Sequence, residues 1–237
     1  MDAADPWVML RTGKIEEGLS VFKQAHSESP SASHTMELGV AYLWVERYEI
    51  AWKHFSAMNE AYPRYGSGFY GMAGAAKWCL GEYIEAVKQW IVGLDSNYAD
   101  TAGLGLRLPL LLFFASVVKP ETYCKTLAEE LLKEKSKDRR ITRWPGPIVR
   151  WLSDQIGEIE LHAHCKVDDE SDSRDRQWLA EFYQSTVHYD KGKHSEFVET
   201  MRKLTDTSRS EWKDETFFLA RMWSEEFFLA RHAADLT

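Results

Sequence analysis

Between Thr35 and Tyr98 the chain repeats one residue pattern twice, and paired helices are what accommodate it. The first copy reads Leu38-Gly39-x2-Tyr42, then Tyr48 and Ala51-x3-Phe55, and closes on Pro63. The second reads Ala73-Gly74, then Gly81, Tyr83 and Ala86-x3-Trp90, and closes near Tyr98. Small residues (Gly39, Ala51, Gly74, Ala86) let backbones approach where helices cross, and Tyr42, Phe55 and Trp90 fill the space opposite. A turn motif extends the pattern: Gly or Glu, a charged residue, then usually Ile or Tyr. It occurs at Gly13-Lys14-Ile15, Glu46-Arg47-Tyr48, Gly81-Glu82-Tyr83, Gly157-Glu158-Ile159 and, degenerately, Gly192-Lys193-His194. The intervals are 33, 35, 76 and 35 residues. The 76 is two periods, which places a further turn near Lys119-Pro120-Glu121, where proline suits a helix start.

The Leu-Gly…Tyr…Ala…Phe…Pro pattern resembles the tetratricopeptide repeat (TPR), whose period is about 34 residues. The expected fold is all-α: a TPR-like solenoid of about six helical hairpins plus a C-terminal capping helix, forming one domain over residues 1–237. Residues 1–98 hold the well-formed repeats, 99–205 degenerate hairpins, and 206–237 the cap. In the fourth hairpin, Thr101 to Lys137, Pro109 should start or kink a helix. Asp168 to Asp175 reads as a charged loop, and a final helix from Glu211 to about His232 carries Phe217, Phe218, Trp223, Phe227 and Phe228.

Twenty-nine Lys plus Arg against thirty-seven Asp plus Glu leave a formal charge of −8. That balance argues against phosphate-backbone binding, so no nucleic-acid partner is expected, and it favours a basic protein partner. Leu108 to Val118 is far shorter than the ~20 apolar residues of a membrane span. Cys79, Cys124 and Cys165 are odd in number and dispersed, the N-terminus lacks an apolar leader, and a cytoplasmic setting is expected.

Several local matches to chemical motifs fail on inspection. Gly66-Ser67-Gly68-Phe69-Tyr70-Gly71 matches G-x-G-x-x-G, but helical periodicity flanks it where a dinucleotide site needs a strand. His162 and His164 project to opposite sides of one helix and cannot share an ion. Asp168, Glu170 and Asp172 begin a calcium-type loop, yet Ser173 replaces its glycine and Leu179 its final glutamate. No catalytic residue, metal ligand or cofactor is assigned, and the chain reads as a binding protein rather than an enzyme.

In a TPR superhelix the first helix of each hairpin lines the concave face. That resemblance implies a partner-binding set of Trp7 and Arg11, then Met36, Val40, Leu43 and Trp44, then Ala75 and Trp78. Three tryptophans would face the groove, with Trp and Arg supplying hot-spot chemistry. A second copy of the chain, giving a homodimer, or the C-terminal helix are the other occupants considered. The Lys/Arg/Asn clamp of chaperone-tail binders is missing, since Val40, Ala75, Met36 and Gly71 stand at those places.

Longer runs narrow the resemblance further. Leu38-Gly39-Val40-Ala41-Tyr42-Leu43-Trp44, Tyr70 through Gly81, Trp144-Pro145-Gly146-Pro147-Ile148 and Glu226-Phe227-Phe228-Leu229-Ala230-Arg231 are similar to small bacterial TPR proteins. Members of that group are similar to immunity proteins encoded beside Rhs-type polymorphic toxins. The resemblance implies stoichiometric neutralisation of a cognate toxin or effector domain. A general adaptor binding a peptide or helix of a housekeeping partner is the alternative.

Overall fold

A computed structural model describes residues 5–62, 66–96, 105–205 and 214–234. The chain divides into two compact units, Met1–Tyr98 and Ala99–Thr237. Among the described residues all regular structure is helical.

The first unit holds α1 (Pro6–Arg11), α2 (Ile15–Glu28), α3 (Ala32–Trp44), α4 (Tyr48–Ala61), α5 (Gly66–Cys79) and α6 (Tyr83–Leu94). Each odd helix packs against the even helix that follows it, and α2 meets α3 as α4 meets α5. Asp5 caps α1 by accepting from the Trp7 N–H at 2.8 Å, with Pro6 in the first turn. Ser31 caps α3 through the His34 N–H.

Within each hairpin the helices close on a residue too small to hold them apart. A Cβ on Gly39 would lie 2.4 Å from the Phe55 ring, and one on Gly74 would lie 2.1 Å from Trp90 Nε1. The first hairpin reverses the roles: its glycine is Gly18 on the second helix, and it receives Leu10. Trp90 is fully enclosed and donates its indole N–H to the Gly71 carbonyl at 3.0 Å. Between the second and third hairpins, the buried Lys77 ammonium lies 3.6 Å from the Trp52 ring centroid and 2.9 Å from Glu82.

The second unit holds α7 (Arg107–Val118), α8 (Lys125–Lys135), α9 (Gly146–Leu152), α10 (Glu158–Cys165), α11 (Glu170–Asp190), α12 (His194–Leu204) and α13 (Glu215–Ala234). Pro109 sits in the first turn of α7, where its missing N–H costs nothing. α7 is apolar almost all round and is covered by α8 and α11, with Phe114 against Phe182 at 5.0 Å. α9 has seven residues, about 10 Å of helix, and α11 packs directly on α7. α13 packs on α12 and α11, burying Phe217, Phe218 and Trp223, the last against Phe197. The side chains of Phe227 and Phe228 lie outside the described residues.

Five of the turns inside hairpins share one construction. A residue of positive φ (Gly13, Glu46, Gly81, Asp154 or Gly192) donates its N–H three residues back. The next residue (Lys14, Arg47, Glu82, Gln155 or Lys193) donates five residues back. This is the Schellman closure, which satisfies carbonyls stranded at a helix end. The turn between α7 and α8 differs, with a 3-10 turn at Pro120–Thr122 followed by Tyr123 at φ 55°.

Two expectations need correction. Gly157 is not the turn residue of the fifth pair; Asp154 takes the left-handed conformation and Gly157 precedes α10 in an extended one. Residues 170 to 175 are not a loop but the start of α11. Asp169 caps that helix through the Asp172 N–H at 2.7 Å, and the pairs Glu170–Arg174 and Asp172–Arg176 brace its first two turns.

Candidate functional site

The shared turns give a register for comparing the first helices of the three hairpins in the first unit. Three residues before the left-handed position stand Leu10, Leu43 and Trp78, and all three are buried. Two residues before it stand Arg11, Trp44 and Cys79, which are exposed, half-buried and half-buried. The two columns are adjacent in sequence, yet one is interior and the other reaches solvent.

Four of the eight residues expected to face a partner are therefore interior: Val40 and Leu43 on α3, and Ala75 and Trp78 on α5. The reason lies in the helical period. Leu43 and Trp78 stand four residues after Gly39 and Gly74, on the face of each helix that meets its partner. Trp78 accordingly stacks on Trp90, with centroids 5.6 Å apart and planes at 25°, and it also meets Tyr83 at 4.8 Å. Val40 and Ala75 follow those glycines directly, on helices that also touch one another, because α3 packs against both α1 and α5.

The remaining four retain solvent access. Arg11 is exposed, and Trp7, Met36 and Trp44 are half-buried. The structure brings Trp7 and Trp44 together edge to face at 6.4 Å, with Trp7 also set against Phe22 at 4.7 Å. Two half-covered indoles in mutual contact, with an exposed guanidinium one helical turn after Trp7, thus lie on the solvent side of this unit. Large flat rings contribute contact area at little entropic cost, and Arg supplies directional donors.

A polar cluster lies behind this face. The Thr35 carbonyl on α3 accepts from His54 Nε2 on α4 at 2.8 Å, while its hydroxyl meets His26 Nδ1 on α2 at 3.2 Å. The two imidazoles stand 5.8 Å apart, and burial holds the His54 pKa below its ordinary value, with His26 pushing the same way.

In the second unit His162 belongs to a polar seam between α10 and α11. Its Nδ1 meets Gln177 at 3.2 Å and its Nε2 meets Gln184 at 3.2 Å, so both ring nitrogens are used within the fold. Burial raises the Cys124 thiol and pushes Cys165 up to about 11, so both stay protonated at neutral pH and are poor nucleophiles. Among the described residues no helix is long and apolar enough to cross a membrane.

Compared with known proteins, the chain matches no family model, no curated protein and no solved structure.

Proposed function

We propose that this chain is a protein-docking scaffold of TPR-like helical hairpins that neutralises a cognate toxin or effector domain by stoichiometric binding. The observation that carries the docking half is the solvent-reaching column of Arg11 and Trp44, joined by Trp7 and Met36. It recurs at the same place relative to each turn, which is how a repeat protein builds a continuous binding surface. The toxin half rests on the resemblance of the repeated runs to Rhs-associated immunity proteins, and the acidic balance of the chain suits a basic partner.

Co-expression with the toxin encoded beside this gene tests the reading. Relief of growth arrest together with 1:1 co-purification is expected. Trp44→Ala should weaken the complex by about 2 kcal/mol, the range for an interface hot spot. Unrelieved arrest with both proteins soluble and no co-purification refutes the immunity role. A loss-of-function phenotype in cells lacking any toxin points to the adaptor role instead.

A further inference from the structure

A pocket of about 300 Å³ opens in the second unit, lined by Thr142, Arg143, Trp144, Pro147, His164 and Arg176. These side chains come from the segment joining α8 to α9, the first turn of α9, the end of α10 and the second turn of α11. The volume stands at the small end of ligand pockets. Its walls are of two kinds. Trp144 and Pro147 provide an apolar side, and the other four provide hydrogen-bond donors or positive charge.

Arg176 is already fixed. Its Nε and Nη2 donate to the two oxygens of Asp172 at 3.0 and 2.7 Å, and Nη1 reaches the His164 carbonyl at 3.4 Å. The guanidinium lies 5.8 Å from the Trp144 ring centroid. A cation held this firmly loses little freedom when a ligand arrives. Arg143 is in the opposite condition: it is exposed, and among the described residues its guanidinium forms no ion pair. Among the described residues the charge of Arg176 is answered by Asp172, whereas that of Arg143 is not.

The surrounding sequence adds to that excess. In an acidic chain, residues 133–143 carry Lys133, Lys135, Lys137, Arg139, Arg140 and Arg143 against only Glu134 and Asp138. A local positive field beside a small pocket raises the concentration of anions at its mouth.

We propose that this pocket binds a phosphate monoester, its oxyanion held chiefly by Arg143 and Thr142 with His164 and the fixed charge of Arg176 beside it, and its organic body laid against Trp144 and Pro147. A carboxylate is the lesser match. The fork of Arg176 is already filled by one, and a phosphate monoester brings greater negative charge and a third acceptor oxygen to the unpaired Arg143. The site is separate from the docking face of the first unit, and its test is independent of any partner.

Titration calorimetry of the full chain at fixed ionic strength, with phenyl phosphate, inorganic phosphate and benzoate, measures this directly. ¹H–¹⁵N spectra locate the response through the Trp144 indole and the Arg143 and Arg176 Nε–H groups. Phenyl phosphate should bind more tightly than inorganic phosphate, and benzoate more weakly than either. Arg143→Gln should weaken phenyl phosphate about ten-fold while leaving the melting temperature unchanged, and Arg139→Gln should have little effect. No binding by the wild type at millimolar phenyl phosphate overturns the proposal. Equal binding of benzoate overturns the choice of phosphate. Equal losses in Arg139→Gln and Arg143→Gln show attraction to the basic run alone, and overturn the pocket.

Discussion

Adding one methyl group at residue 74 tests the seam of the third hairpin. The new Cβ would lie 2.1 Å from Trp90 Nε1 and 2.5 Å from the neighbouring ring carbon. The indole cannot swing aside cheaply, because it is fully enclosed, stacked on Trp78 and hydrogen-bonded to Gly71. Overpacking of this kind costs about 1–3 kcal/mol. Loss of the buried indole hydrogen bond adds about 1–2 kcal/mol. Against these, alanine favours a helix interior over glycine by about 1 kcal/mol. Gly74→Ala should therefore destabilise the protein by about 1–4 kcal/mol, although helix propensity alone predicts the opposite sign. Urea unfolding followed by far-ultraviolet circular dichroism and tryptophan fluorescence measures it. In a Trp90→Leu background the obstruction is gone, and the same alanine should be neutral or stabilising by up to about 1 kcal/mol. A neutral or stabilising effect of Gly74→Ala in the wild type refutes the close-packed seam.

The two tryptophans once expected to share a surface should separate in the same assay. Trp78→Ala empties an interior site and should cost about 3–5 kcal/mol of stability, whereas half-exposed Trp44→Ala should cost much less, and equal losses would contradict the register drawn from the turns. Acid should destabilise the first unit through His54. Its folded-state pKa is below the ordinary 6.5, so the fold favours the neutral ring; the contribution is intact above pH 6.5 and is lost as pH falls through the lowered value. Thermal melts between pH 7.5 and 5 should show a decline that His54→Gln reduces, and an unchanged decline in that variant assigns the effect elsewhere.

The helical pairs were legible because their punctuation is local. Gly13, Gly81 and Gly192 mark turns by composition, and Glu46 could be found only because its flanking residues repeat those around Gly81. Asp154 and Tyr123 adopt the same left-handed backbone without glycine, so no residue type announces them. The start of α11 was masked by its polarity. Its Asp cap and its two four-residue charge pairs were nevertheless present in the sequence, and counting them would have exposed the helix. The buried fate of Trp78 was equally available, since four residues separate it from Gly74. The second-unit pocket had no such signal, because His164 and Arg176 reach the Trp144 segment only through the tertiary arrangement of α10 and α11.

Rings seated on bare backbone at Gly39 and Gly74 let those helix pairs approach more closely than any side chain at either position would allow. The spacing of the second and third pairs is thus set by one glycine each, and a single added methyl would be felt along the whole of either pair.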